Sequence, residues 1–210
     1  LQTVRYTAGL MESADFWANA EASGQAFAAA LAIALLAGPA IGVLLGFNRL
    51  SGEVAEPILV ALYSVPKVIL YPIILLLFGL GMAAEVAFGT LHGIVPVMLF
   101  TMNAVRNIKP VLIRTGRALG LSTWPMMRTI LLPAAFPEIF TGLRVGFSVT
   151  LLGTIMSEMF GSKRGVGFLL MKALGVNDVQ LIMSLALMLV AFASIANSVL
   201  LSIERRLYRH

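Results

Sequence analysis

Few side chains in this sequence have the type and spacing that catalysis or metal binding requires. There is no cysteine, and the two histidines, His92 and His210, are too few for a histidine metal cluster. A phosphate loop needs Gly, four residues and then Gly-Lys-Ser/Thr, but Gly161-Ser162-Lys163 lacks the first glycine at that distance. No Ser/His/acid arrangement or paired-carboxylate site can be placed on one helix face. The sequence therefore predicts no catalytic residue, no metal ligand and no cofactor.

Two charged residues could line a pathway through the apolar part of the chain. Lys67 follows Pro66 and could contact a substrate, but a long side chain near the cytoplasmic end of a helix can also reach the interface. We favour this anchoring role. Glu158 could bind substrate, yet acids at such depth are costly and usually paired, so we favour a structural or gating pair. The candidates for a pathway or gate are therefore Pro66, Lys67, Tyr71 and Glu158.

Two further polar residues lie within apolar stretches. His92 could face a pore, but a contact between two helices is the favoured interpretation. Arg144 should reach lipid headgroups or Glu138.

The composition of the sequence is typical of a chain in lipid, and it predicts the helices that position these side chains. Of the 210 residues 59% are hydrophobic and 12% are charged, against about 25% charged in an ordinary soluble domain. So few charges could not cover the core of a water-soluble fold, whereas a bundle facing acyl chains needs no such cover. We expect one all-α, polytopic membrane domain over residues 1–210. Stretches of about 20 mostly apolar residues predict five spans: Gly24–Phe47, Pro57–Leu80, Ala84–Val105, Ile139–Phe160 and Gln180–Ile203.

The basic residues indicate how the spans are oriented. The segment from Arg106 to Glu138 holds five Lys and Arg against one acid, and the last residues hold Arg205, Arg206 and Arg209 against Glu204. By the positive-inside rule both segments should be cytoplasmic. We expect their basic residues to contact membrane lipid, and we expect no binding of nucleic acid. An odd number of spans then places Leu1 outside. Because the chain begins with Leu instead of Met, we expect an upstream piece, and a sixth span in it would return the N-terminus to the cytoplasm.

Two rows of small residues recur at intervals of four. The first span contains Gly38, Gly42 and Gly46, and the fourth contains Gly142, Gly146, Thr150 and Thr154. Each row lies on one helix face, where small residues let two backbones approach closely. We favour packing within one subunit, and the alternative is that one row forms a subunit interface.

The segment between the third and fourth spans predicts a rigid helical hairpin over residues 106–138. Pro110 suits the first turn of a helix, Gly120 its left-handed C-terminal cap, and Ser122 the N-cap of the next helix. Pro125 falls in the first turn of this second helix, and we expect Pro133 to end it. Such a hairpin could dock a partner or be a simple interfacial loop.

At this point the sequence resembles a family. Gly120, followed after nine residues by Ile130-Leu131-Leu132-Pro133, is similar to the second half of a motif of permease subunits of bacterial ATP-binding cassette importers, Glu-Ala-Ala, three residues, Gly, nine residues, Ile-x-Leu-Pro. The resemblance extends over nearly the whole chain, to the branch that imports nitrate, taurine, alkanesulfonates and pyrimidine-type thiamine precursors. It includes Val65-Pro66-Lys67, Tyr71-Pro72, Phe78-Gly79-Leu80-Gly81, Arg117-Ala118-Leu119-Gly120, Leu132-Pro133-Ala134-Ala135-Phe136-Pro137, Thr141-Gly142-Leu143-Arg144, Glu158-Met159 and Gly165-Val166-Gly167-Phe168-Leu169.

The resemblance implies a coupling helix from about Val111 to Leu121, seated in a cleft of a cytoplasmic ATPase subunit. The residues implied in this coupling are Arg114, Thr115, Gly116, Arg117, Ala118, Leu119, Gly120, Ile130, Leu132 and Pro133. Gly120 would serve the sharp turn, and the last three residues would fix the hairpin to the membrane helices. Arg114-Thr115-Gly116 stands where the motif has Glu-Ala-Ala, which inverts the charge offered to the partner.

The expected architecture is thus a type I importer permease, with five spans here and six in the full protein. The resemblance implies a channel-forming subunit that works with an ATPase dimer binding ATP and Mg, a second permease copy forming a homodimer, and an extracytoplasmic substrate-binding protein. The cargo would be a small polar or anionic organic solute, and the location the cell inner membrane. Two alternatives are a stand-alone ion-coupled secondary transporter or channel, which would need well-placed intramembrane acids, and a lipid-modifying membrane enzyme, whose clustered His, Asp or Glu are not found.

Overall fold

The computed structural model describes residues 2–207, and within this range the chain forms ten α-helices and no β-strand. In chain order they are α1 (Gln2–Met11), α2 (Ala14–Phe47), α3 (Arg49–Ser64), α4 (Tyr71–Phe78), α5 (Met82–Arg106), α6 (Pro110–Ala118), α7 (Thr123–Met126), α8 (Leu132–Gly161), α9 (Val166–Gly175) and α10 (Val179–Leu207). A 3-10 turn, Lys67–Leu70, precedes α4, and a π-helical turn, Met127–Leu131, joins α7 to α8. Arg209 and His210, which entered the sequence predictions, lie outside the described residues.

Four predicted spans are confirmed and one is wrong as a single helix. Among the described residues, the helices long and apolar enough to cross a bilayer are Ala14–Phe47, Met82–Arg106, Thr123–Gly161 and Val179–Arg206. Each contains one predicted span. The stretch predicted as one helix over Pro57–Leu80 instead belongs to two helices, Arg49–Ser64 and Lys67–Phe78, which meet at 87°.

The bend in this pair has its cause in Pro66. Val65, which precedes the proline, takes an extended conformation with φ −65° and ψ 132°, because the proline ring disfavours helical geometry in the residue before it. Pro72 lies in the first turn of α4, where a missing N–H costs nothing. The bend therefore falls at Pro66 and not at Pro72.

Helix α5 is the centre of the bundle, and both rows of small residues pack against it. A Cβ on Gly38 would lie 2.6 Å from Val97 of α5, and one on Gly42 would lie 2.6 Å from Thr101. On the other side of α5, Gly146 of α8 also meets Val97. Val97 is thus held between the two rows, which confirms their packing within one chain.

The order of these contacts also fixes the directions of the helices. Residues 38 to 46 of α2 meet residues 97 to 105 of α5 in the same order, so α2 runs parallel to α5. Gly142 meets Phe100 whereas Thr150 meets Gly93, so α8 runs antiparallel to it. The bundle therefore has a hairpin end, with the segment between α5 and α7, and a loop end, with the α4–α5 and α8–α9 connections.

Candidate functional site

The hairpin begins with α6, which ends in the glycine cap that the sequence predicts. Gly120 has φ +69°, its N–H donates to the carbonyl of Arg117, and the N–H of Leu121 donates to the carbonyl of Gly116, at 3.0 Å each. These two bonds are the Schellman pattern, in which a left-handed residue closes the last helical turn. Ser122 holds the expected N-cap position of the next helix, but its side chain makes no capping hydrogen bond.

The second helix of the hairpin is not short, because Pro133 does not end it. Residues Thr123–Gly161 form one continuous helix that contains the fourth predicted span. A proline inside a helix normally clashes with the carbonyl four residues earlier. Here the wider π-helical turn precedes it, with the N–H of Leu132 bonded to the carbonyl of Met127 five residues back, so the proline fits. The expected separate surface helix is therefore an extension of a membrane helix.

Helix α6 packs on this extension through its one buried residue. A Cβ on Gly116 would lie 3.1 Å from both Ile130 and Met126, so the backbone of α6 lies directly on these side chains. Ile130 thus packs against α6. Leu132 and Pro133 are exposed, whereas Leu131 packs against the apolar cluster around Ala135.

The outward face of α6 is basic and apolar together. Arg114, Thr115, Arg117 and Ala118 are exposed, and so is the following Leu119. The ion pairs found within residues 2–207 use Arg49, Arg106 and Arg144, so neither Arg114 nor Arg117 has an acidic partner in the described part of the chain. This face is therefore available to a partner that carries acidic groups.

The predicted pathway residues of the bent pair differ in their burial. Pro66 is exposed at the bend, whereas Tyr71 is buried, packs edge-to-face on Phe88 and donates its hydroxyl hydrogen to the carbonyl of Ser157 at 2.8 Å. The side chain of Lys67 is buried, and its Nζ donates to the carbonyl of Tyr63 at 3.2 Å. The bend leaves the last carbonyls of α3 without helical partners, so the ammonium group of Lys67 can donate to one of them.

Glu158 holds the first turn of α9 together with two side chains of α2. Three successive backbone N–H groups donate to these side chains at 2.8 Å each: Gly165 to Asn19 Oδ1, Val166 to Ser23 Oγ and Gly167 to Glu158 Oε2. Gly165 is the N-cap residue and has no side chain to cap the helix itself. We call Asn19, Ser23 and Glu158 the α9 clamp. Because an acid is also favoured at a helix N-terminus, Glu158 is stabilised without a cation.

The clamp residues of α2 were missed at the level of sequence, although a signal was present. Asp15, Asn19 and Ser23 recur every four residues in a stretch whose other residues are apolar except for Glu21, and this spacing places them on one face of α2. Polar groups on one face of a membrane helix indicate a buried partner. The partner, a helix N-terminus 143 to 146 residues away, has no sequence signal of its own.

Two other polar residues join helices across the bundle. The Nδ1 atom of His92 lies 2.9 Å from the carbonyl of Phe88, and its ring packs against Gly153 of α8, as the helix-contact interpretation predicts. Arg144 does not pair with Glu138. Its Nε lies 2.8 Å from Oε2 of Glu204 on α10, an ion pair without the angle of a hydrogen bond, because the bundle brings α10 against this face of α8.

Residues 2–207 contain no group of three or more His, Cys, Asp or Glu side chains placed to hold a metal ion.

Comparisons with known proteins agree with the motif. A family model described as binding-protein-dependent transport system inner membrane component matches residues 30–210. The taurine transport system permease of Escherichia coli K12 is 30% identical over 173 residues, 82% of this chain and 62% of that protein. A putative aliphatic sulfonates transport permease of Bacillus subtilis 168 is 28% identical over 80% of this chain and 61% of its own length. The nitrate import permease of Leptolyngbya laminosa is 33% identical over 75% of this chain and 56% of its own. The chain thus spans about six tenths of the length of these relatives.

Solved structures have the same fold. An inward-facing structure of the MetNI methionine ABC transporter matches with a TM-score of 0.77 at 19% identity, covering 91% of this chain and 96% of that one. An amino acid ABC transporter crystallised with histidines matches with a TM-score of 0.69 at 17% identity, covering 98% and 95%. At these identities the likeness concerns the fold, and it confirms the predicted all-α polytopic bundle of the importer-permease type.

Proposed function

Because the chain belongs to the family of binding-protein-dependent transport system inner membrane components, a multi-pass membrane family, we propose that it is the channel-forming subunit of an ATP-driven importer. The cargo is a small polar or anionic organic solute. ATP hydrolysis and its Mg lie on a separate ATPase, and this chain contributes movement and a pathway.

The observation that carries the proposal is the exposed face of α6. The helix lies just before the part of the chain that matches the family motif, Gly120 to Pro133. The left-handed glycine cap fixes the shape of its C-terminal end. A short helix with a closed C-terminal turn, and with Arg114 and Arg117 outward, is suited to docking in a cleft of another protein. Since Arg114 stands where the motif has an acid, the cleft of the ATPase should carry acidic groups near it.

The packing of α6 explains how docking could move the bundle. Gly116 lies against Met126 and Ile130, which belong to the continuous helix Thr123–Gly161. At 1.5 Å per residue its 39 residues span about 58 Å, more than the thickness of a bilayer. The far end of the same helix carries Glu158 of the α9 clamp. A displacement of α6 is therefore delivered directly to α9 at the loop end.

The remaining parts of the assembly are proposed from the family resemblance. Two ATPase subunits approach each other on ATP, push the hairpins of two permease copies, and rock the bundles between inward and outward access. The hairpin end and the C-terminus face the cytoplasm, in keeping with their basic residues. An extracytoplasmic binding protein delivers the solute to the loop end.

Co-purification and uptake test this function together. Tagged permease, expressed in its native host, should retain an ATP-binding cassette ATPase after solubilisation, and uptake should cease when ATP is depleted while the membrane potential is kept. If no ATPase is retained and uptake follows the ion gradient instead, the chain is a secondary transporter and the proposal is wrong.

A further inference from the structure

A cavity of about 460 Å³ opens at the loop end between α2, the α4–α5 connection and the α8–α9 connection. It contains charges of both signs: Glu85 lies on one wall, and Lys163 and Arg164 lie on another. Gln25 of α2 also faces it. The volume is within the range of cavities that hold small molecules.

Glu85 is the unusual member of this cavity. Glu85 is only 5% exposed, and no Lys or Arg nitrogen of the described residues lies within 4.0 Å of its carboxylate. Its place in the first turn of α5 gives partial compensation from the helix N-terminus. Because no cation of the described residues pairs with this carboxylate, a cationic group bound in the cavity would gain a direct charge pair with it.

The basic wall is held in place before any ligand binds. The N–H of Gly81 donates to the carbonyl of Gly161 at 3.2 Å, which ties the start of the α8–α9 connection to the α4–α5 connection. At its other end Gly165 is held by Asn19 of the α9 clamp. Between them Ser162 Oγ accepts from the N–H of Arg164 and donates to its carbonyl. Lys163 and Arg164 therefore project from a fixed loop, which lowers the entropy cost of binding.

We propose that this cavity binds a small zwitterion, with its anionic group on Lys163 and Arg164 and its cationic group on Glu85. The two signs of charge lie on different walls of one cavity, so a molecule with an amine and an acid a few bonds apart satisfies both. An anion without an amine would leave Glu85 unpaired. The inference rests on the proposed import function and narrows its cargo from polar or anionic solutes to zwitterionic ones.

Three probes separate the contributions of the two charges. Taurine carries both groups, ethanesulfonate lacks the amine, and ethylamine lacks the acid. We expect taurine to bind the permease in lipid nanodiscs, measured by saturation-transfer NMR, with each one-charge probe about tenfold or more weaker. Equal binding of taurine and ethanesulfonate would reduce the cavity to an anion site and overturn the proposal, as would no saturable binding of taurine.

Variants locate the binding in this cavity. Glu85→Gln should abolish the preference for taurine over ethanesulfonate, and the double substitution Lys163→Gln and Arg164→Gln should weaken both sulfonates. Lys172→Gln, which removes an exposed charge of α9 outside the cavity lining, is the matched control and should bind like the wild type. Because Lys163 and Arg164 are exposed, their replacement leaves the bundle folded even if Glu85→Gln does not. An unchanged taurine preference in every variant contradicts the assignment, while retention of the ATPase on the tagged permease still tests the import function separately.

Discussion

The hydroxyl of Ser23 lies 2.8 Å from a carboxylate oxygen of Glu158, a buried hydrogen bond between residues 135 positions apart in the chain. The same hydroxyl accepts from the N–H of Val166, and the same carboxylate oxygen accepts from the N–H of Gly167. Helices α2, α8 and α9 therefore share one polar junction inside an apolar bundle. Loss of any member leaves another buried group without a partner.

The α9 clamp needs an acceptor at residue 158 more than it needs a charge. Glu158→Gln keeps an oxygen for Ser23 and Gly167, so we expect its thermal stability to stay near that of the wild type. Glu158→Leu removes the acceptor and should lower the free energy of unfolding by about 1–3 kcal/mol. Thermal unfolding followed by size-exclusion chromatography of the solubilised protein measures both. A loss in the Gln variant as large as in the Leu variant would show that the charge dominates.

Gly120 should be required for coupling but not for the fold. Gly120→Val places a β-branched side chain at φ +69°, a conformation that costs such residues about 1–2 kcal/mol or more, and no other atom lies within 4 Å of the added Cβ. We expect uptake and ATPase retention to fall while the solubilised bundle stays monodisperse. Gly120→Asn is the matched control, since Asn tolerates this conformation. Wild-type uptake by the Val variant would count against docking through α6.

The contact of Val97 with both glycine rows predicts a compensating pair. Gly146→Ala should destabilise the bundle by about 1–3 kcal/mol, because the added methyl group meets Val97. Val97→Ala should recover part of this loss when combined with it. Gly24→Ala, at a position of α2 with open space, is the control and should be neutral. Independent, additive losses in the thermal unfolding of the double variant would argue that the two residues do not meet.

The ion pair between Arg144 and Glu204 should contribute to the docking of α10. Glu204→Leu leaves a partly buried Arg144 without its partner, and Arg144→Met leaves a buried acid, so we expect each to cost about 1–4 kcal/mol. The combined variant should be more stable than the sum of the two losses predicts. A double-mutant cycle in thermal unfolding gives the coupling, and a coupling of zero would mean that the pair adds nothing.

Much of the fold was predictable because the strongest physical constraints act locally. Length and hydropathy located four spans, since every backbone group in lipid must be bonded within its own helix. Gly120 was predictable as a cap because only the local turn matters. Pro133 was not: the rule that proline ends a helix is also local, but the π-helical turn before it removes the clash, and that turn has no signature in the sequence.

The sequence by itself determined that this protein lies in lipid, the number of its apolar segments, the shape of the α6 cap and the family motif. These follow from composition, periodicity and spacing within a few turns of chain. Only the tertiary structure decided which side chains meet: Glu204 and not Glu138 for Arg144, the first turn of α9 for Glu158, and one cavity for Glu85, Lys163 and Arg164. The reason is that polar groups buried in a bundle are satisfied by whichever helix lies nearest in space, and distance along the chain does not encode this.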